Sequence, residues 1–194
     1  ALLREAEIKR ERNQANEWRN ARAYDLYPDL TKCEFADHIR PMILLSLNTG
    51  MRQGELFSLL WENINFERAT LTIEGAYAKS GKTRHIPLNS EALNVLKLWQ
   101  QQTNRSDLVF HNKDGLRFDN NKKAWTGILK NAKIINFRWH DMRHHFASRL
   151  VMVGVDLNTV RELLGHSDMS MTLRYAHLAP EHKAQAVEKL IAAI

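Results

Sequence analysis

Residues 61–88, WENINFERATLTIEGAYAKSGKTRHIPL, decide the fold class. NINFERATLTIEG (63–75) alternates apolar and polar residues and is rich in β-branched side chains, the period of a strand with one buried face. KSGKTR, centred on Gly81, reads as a hairpin turn, and HIPL as a returning strand that Pro87 terminates. On either side the period lengthens to that of helices. Upstream, residues 1–23 are charged, lack Gly and Pro, and suit a solvated helix, while 24–34, with Pro28, read as a loop. Apolar residues at helical spacing (Ile39, Met42, Ile43, Leu45, Leu47) predict a helix from Phe35 to Thr49, stopped by Gly50. MRQGELFSLLW follows as a second helix entered through a tight turn. Downstream, 89–102 are expected to be helical, with Asn89 or Ser90 as N-cap. A short extended stretch and turn occupy 108–118, and a basic helix 121–133. Helices over 140–153 and 156–164 are separated by Gly154, and Gly165 ends the second. A short helix over 170–178 and, after Pro180, an amphipathic helix over 181–193 complete the chain. The expectation is an α+β fold, predominantly α-helical, with a small antiparallel sheet of two or three strands.

The 194 residues are 44% hydrophobic and 26% charged, enough for one core-forming domain or one domain plus a small appendage. A formal charge of +6 favours a polyanionic partner such as DNA or RNA. Cys33 is the single cysteine, so an internal disulfide and a cysteine-based zinc framework are excluded, which fits a reducing cytoplasm. The longest apolar runs, such as PMILLSL (41–47), are too short to cross a bilayer. No signal-peptide pattern opens the chain. It begins with Ala1, which suggests a fragment of a longer protein.

HDMRHH (140–145) crowds three imidazoles and a guanidinium onto less than two helical turns. His140 and His144 have the spacing of the metalloprotease H-E-x-x-H helix. Asp141 stands where the glutamate belongs, however, and Arg143 beside the second imidazole would repel a dication, so a zinc site is disfavoured. On a helix His140, Arg143 and His144 share a face, with Phe146 and Leu150 anchoring the other side. Arginine offers a planar fork to two phosphate oxygens, and histidine donates to phosphate or takes a proton near neutral pH. This stretch alone also fits a plain charged surface helix.

LLGHSDMSMTLRYAH (163–177) sharpens the choice. His166 follows a helix-ending glycine, and Tyr175 comes nine residues later, flanked by Arg174 and His177. A phenol can attack phosphorus, but with an ordinary pKa of about 10 it needs a base or cationic surroundings. In TGMRQGEL (49–56) Arg52 follows Gly50, and Glu55 is placed to hold its guanidinium. AKSGKTR (78–84) presents Lys79, Lys82 and Arg84 on a flexible tip. Such a tip is either a solvated turn or a device whose lysine enters a DNA groove and protonates a leaving alkoxide.

Taken in order, T-G-M-R-x-G-E-L, K-S-G-K-T-R-H-I-P-L, H-D-M-R-H, L-L-G-H-S and T-x-x-Y-x-H resemble the catalytic domain of tyrosine recombinases of the phage-integrase family, over roughly residues 35–180 and closest to prophage and genomic-island integrases. The resemblance implies that fold, and site-specific DNA cleavage and rejoining through a 3′-phosphotyrosyl link, with no metal, cofactor or ATP. Arg52 and Arg143 would clamp the scissile phosphate, with Glu55 supporting the first. Lys79 would protonate the leaving 5′ oxygen. His140 would assist proton transfer from the phenol, His166 would hydrogen-bond the phosphate, and Tyr175 would be the nucleophile. Lys82, Arg84, Lys122, Lys123 and Lys130 are candidate DNA contacts. Residues 1–34 would lead towards a missing core-binding domain, 35–180 would form the catalytic domain, and helix 181–194 would dock in cis or on a neighbour. Implied partners are double-stranded DNA at attachment sites, a tetramer on DNA formed from monomers, and accessory DNA-bending proteins. The expected location is the nucleoid of a bacterial or phage-infected cell. Two departures, Met142 for the usual Leu and His145 for the usual Thr, are expected at packing positions behind the site. A type IB topoisomerase-like relaxing enzyme shares the same chemistry. A non-catalytic DNA-binding relic should have lost a reactive residue, and this chain keeps them all.

Overall fold

The computed structural model describes residues 1–76, 81–103 and 106–179. Eight α-helices and one three-stranded sheet make up these residues: α1 Leu2–Asn20, α2 Ile39–Thr49, α3 Gln53–Phe57, β1 Ile64–Asn65, β2 Thr70–Ile73, β3 Arg84–Pro87, α4 Ser90–Thr103, α5 Lys122–Asn131, α6 Asp141–Met152, α7 Leu157–Leu164 and α8 Ser170–Leu173. The sheet is antiparallel with order β1-β2-β3, and Leu71 pairs with Ile86 and Ile73 with Arg84. The expected class, mostly helical with a small antiparallel sheet, is the observed one. The hairpin tip around Lys79 and the tail beyond Ala179, including the helix expected over 181–193, lie outside the described residues.

The helix expected from Phe35 begins only at Ile39. The backbone of Phe35 is held instead by Gln102, whose amide accepts from its N–H and donates to its carbonyl, both at 3.0 Å. Asp37 then accepts from the Ile39 N–H at 3.0 Å, satisfying one of the first unpaired donors of α2. The segment expected to be one helix over 170–178 breaks into α8 and a single 3₁₀ turn, Ala176–Leu178, with Tyr175 at the junction.

Two apolar clusters divide the molecule. The larger gathers Phe35, Met42, Leu45, Leu56, Leu71, Ile86, Leu96 and Met142, all 2% exposed or less, where the sheet, α2 and α4 meet. The smaller joins Ala147 and Val151 of α6 to Val160 and Leu164 of α7 and to Tyr175. Helix α6 therefore has its start in one core and its end in the other. α1 is docked by polar contacts: its one buried residue, Glu5, pairs with Arg40 at 2.6 Å.

Candidate active site

Two helix ends face each other across the start of α6. α2 stops at Gly50 (φ +61°) and α7 at Gly165 (φ +64°), each in the left-handed region that suits glycine. The last carbonyls of a helix lack intrahelical donors and carry its negative dipole end. Arg143 supplies donors to both ends at once: Nη1 to the Gly50 carbonyl at 2.7 Å and Nη2 to the Leu164 carbonyl at 2.6 Å. The glycines also leave room. A Cβ at Gly165 would sit 2.8 Å from Arg84 Cδ, and one at Gly50 2.5 Å from Phe146 Cδ1.

Arg143 is 3% exposed, and among the described residues no carboxylate pairs with it. Burial, then the charge of Arg52, pushes its pKa down to about 9. It remains a cation at neutral pH, underused as a donor, since two of five guanidinium N–H groups serve the carbonyls. An anion in the cleft would relieve it.

Arg52 is held by Glu55, which accepts from its Nη1 at 2.9 Å and its backbone N–H at 2.8 Å. Glu55 sits on the third residue of α3, one turn after Arg52, so one carboxylate caps the helix and aims the guanidinium. The same carboxylate carries a second load. Arg84, expected at a DNA-contacting hairpin tip, lies on β3 with 9% exposure and donates Nη1 and Nη2 to Glu55 at 3.0 and 2.7 Å. Its Nε also reaches the Leu163 carbonyl at 3.3 Å. The alternation of the strand explains this: Arg84 shares its inward face with Ile86 and Leu88. Arg84 is therefore a buried strut, withdrawn from any DNA surface.

His166 follows Gly165 and is 8% exposed, with Nδ1 2.9 Å from the Thr172 hydroxyl. Burial, then the cations Arg143, Arg52 and Arg84, push its pKa to about 4, so the ring is neutral at physiological pH. With Nδ1 engaged, Nε2 is the nitrogen left to face the cleft. Tyr175, 5% exposed, lines the far end, and its hydroxyl lies 2.5 Å from His144 Nδ1. Burial raises its pKa, against the pull of Arg174 and Arg143. His140 is exposed at the N-cap of α6, its ring 5.0 Å from that of His144, edge to face. Partial desolvation of the ring against its neighbours, then the charges of His144 and Arg143, lower its pKa.

One continuous cleft is thus lined by Arg52, His140, Arg143 and His166, and then by His144, Arg174 and Tyr175. Five of the six expected catalytic residues converge there; Lys79 lies outside the described residues. Lys82 is exposed where the hairpin re-enters β3, and Lys122, Lys123 and Lys130 are carried on α5, all three exposed, with Lys130 in its last turn. α5 is anchored near the cleft, with Trp125 edge-on to Trp139 at 5.0 Å and Asn121 accepting from Gln53 at 2.6 Å. Met142 packs in the larger core as expected, whereas His145 does not. It is exposed along a groove with Leu44, Leu47 and Arg149, because the position after Arg143 and His144 turns away from both clusters. His144 and Thr172 were not among the expected site residues. The helical i+4 step from His140 pointed to the first, and the T-x-x-Y-x-H spacing to the second.

A profile of the phage integrase family matches residues 23–182. The chain is similar to the integrase of Salmonella phage P22, 32% identical over 171 residues that cover 81% of this chain and 43% of that protein. It is also similar to the tyrosine recombinase XerA of Pyrococcus horikoshii, 33% identical over 161 residues that cover 79% of this chain and 56% of that one. It spans about half the length of these curated relatives. Among solved structures, the Tn1549 transposon integrase in complex with a circular intermediate DNA superposes with a TM-score of 0.66 at 22% identity, covering 77% of this chain and 57% of that chain. That likeness is one of fold.

Proposed function

This chain belongs to the phage integrase family, and we propose that it carries the catalytic centre of a site-specific DNA recombinase, which cleaves and rejoins strands by transesterification through a 3′-phosphotyrosyl intermediate. One observation carries the reading: Arg143, buried and without a carboxylate partner among the described residues, faces the same cleft as Arg52, His166 and the Tyr175 hydroxyl. Buried charges are ordinarily paired. A guanidinium whose hydrogen bonds go to helix-end carbonyls, with Glu55 acting on it only through space, suits a site that receives its anion from outside.

In this reading Tyr175 Oη attacks the scissile phosphorus and the 5′ oxygen leaves. Negative charge grows on the equatorial oxygens, and Arg52, Arg143 and the His166 imidazole, which line one cleft, would receive it. Fixed donors of this kind lower the barrier without reorganising, and removing one costs on the order of 10²–10³ in rate. Lys79 protonates the leaving oxygen, as the motif K-S-G-K-T-R implies. Rejoining reverses the steps, with the phosphotyrosyl bond conserving the energy of the broken strand, so no nucleotide is consumed. In this reading residues 35–180 form the catalytic domain and 1–34 the connection towards a core-binding domain, while the segment 181–194, expected to dock in cis or on a neighbour, lies outside the described residues. The substrate is double-stranded DNA at an attachment site, flanked by Lys82, Lys122, Lys123 and Lys130, within a tetramer assisted by DNA-bending proteins. Among the described residues no helix is long and apolar enough to cross a membrane, and we place the reaction at the nucleoid.

The test is a suicide-substrate assay. The full-length parent is mixed, in a chelator, with a nicked duplex bearing its attachment site. A covalent protein–DNA adduct that vanishes in Tyr175→Phe is expected. An adduct that survives Tyr175→Phe, or none with a verified site, overturns the proposal.

A further inference from the structure

We infer that His144, through Nδ1, receives the Tyr175 hydroxyl proton during strand cleavage, the part expected of His140. The inference rests on the recombinase reading above and deepens its first step. Among the described residues the one side chain hydrogen-bonded to Tyr175 Oη is His144, at 2.5 Å. That is the reach a general base needs to the proton it abstracts. His140 is one turn earlier, exposed, with its ring against the His144 ring rather than the phenol. It lines both the part of the cleft that holds Arg52, Arg143 and His166 and the part that holds Tyr175, but among the described residues it makes no hydrogen bond to the phenol.

Tyr175 cannot supply its own phenolate. It is packed among Val160, Leu164 and the end of α6, and burial disfavours the charged form. A base in contact is therefore required. Charged and titratable groups face His144 from every side. His140, Asp141 and Arg143 share its helix, Arg138 precedes it, and Arg174 and Tyr175 approach from the segment after α8. Burial, then Arg174, holds the imidazole below its usual range, opposed by Asp141. The ring is neutral at physiological pH, and in the tautomer with its proton on Nε2 the Nδ1 lone pair accepts the hydrogen bond of the phenol.

The balance of the step is complete. The Oη–P bond forms as the P–O5′ bond breaks. The phenolic proton passes to His144 Nδ1, and the 5′ oxygen takes a proton from a separate acid, the Lys79 ammonium in the proposal above. The new imidazolium is tolerated because the bound phosphate offsets the cations around it. On rejoining, the imidazolium returns its proton to the departing phenolate.

The test measures adduct formation with the full-length parent and the nicked attachment-site duplex, from about pH 5 to about pH 9, across the range where an imidazole titrates. His144→Asn places an amide oxygen where Nδ1 stands and keeps an acceptor that cannot take a proton. His144→Ala removes both functions, and His140→Asn is the competing variant. The wild-type rate is expected to fall in acid as the base is protonated. His144→Asn should be slower by on the order of 10²-fold or more and should lose that acid limb, whereas His140→Asn should keep it. Thermal melting of each variant separates misfolding from chemistry. If His144→Asn restores the rate that His144→Ala abolishes, His144 merely positions the phenol and the inference fails. It fails also if the acid limb disappears in His140→Asn instead. A wild-type protein that forms no adduct would remove the recombinase reading, and this inference with it.

Discussion

Replacing Glu55 with glutamine tests the central claim about how the cleft is built. The carboxylate is 3% exposed and accepts four hydrogen bonds, two from Arg84 at 2.7 and 3.0 Å and two from Arg52 at 2.8 and 2.9 Å. Glutamine keeps the shape, loses the charge, and turns an NH₂ group towards guanidinium donors. Breaking one side of a buried ion pair leaves the other charge uncompensated and costs about 3–5 kcal/mol. For a domain of this size that lowers Tm by about 6–20 °C. A pH series supplies a second reading. Burial alone would raise the Glu55 pKa, but the hydrogen bonds and charge of Arg84, with Arg52, outweigh it and hold the group below its usual value of 4.5. A carboxylate lowered in the native state contributes stability that is complete above its unfolded pKa and is lost as pH falls through the native one. The gap between wild type and Glu55→Gln should therefore be widest near neutrality and narrow in acid. Denaturant titration at several pH values measures both. A loss under about 1 kcal/mol, with no change in pH slope, would mean that the pair behaves as a solvated surface bridge and that Arg84 is no strut. Cleavage should also slow by on the order of 10²-fold, because Arg52 loses its holder.

Three further outcomes are expected. Gly165→Ala forces a side chain into a φ of +64° and a Cβ to within 2.8 Å of Arg84 Cδ, so it should cost about 1–2 kcal/mol from the backbone alone and more from the clash, read by chemical denaturation. His166, neutral in the fold with a pKa of about 4 against an ordinary 6.5, should give stability that is complete above about pH 6.5 and declines by about 3 kcal/mol towards pH 4; His166→Gln should flatten that part of the stability curve. Alanine at Lys122, Lys123 and Lys130 should leave melting unchanged and lower the slope of log affinity against log salt by about 0.9 for each phosphate that a lysine no longer neutralises, measured by DNA binding.

The sheet was legible because alternation over 63–75 is a local signal; Arg84 was assigned to the hairpin turn just before HIPL, although the strand, and its inward face, begins with it. The charge of Arg84 argued for the surface, and the reading by charge was the one that failed. The groups around HDMRHH were recognisable as a cluster, but helical spacing says only which residues share a face. It could not show that His144, rather than His140, meets the phenol, since that contact joins residues 31 apart. The late start of α2 was hidden for a similar reason: Gln102, 67 residues on, occupies the backbone of Phe35.

The amino-acid sequence by itself determined the order of helices and strands, the glycine stops at 50 and 165, the Glu55 hold on Arg52 and the set of residues able to work on a phosphate. Those depend on interactions within about four residues of chain, where propensity and periodicity act. The tertiary structure decided how the charges are used. Arg143 is neutralised by helix ends 93 and 21 residues away, Arg84 is withdrawn to support Glu55 across 29 residues, and His144 is brought onto Tyr175. Such pairings arise only when two apolar cores set the angles between α2, α6 and α7, because a buried cation must find its donors and acceptors wherever packing leaves them.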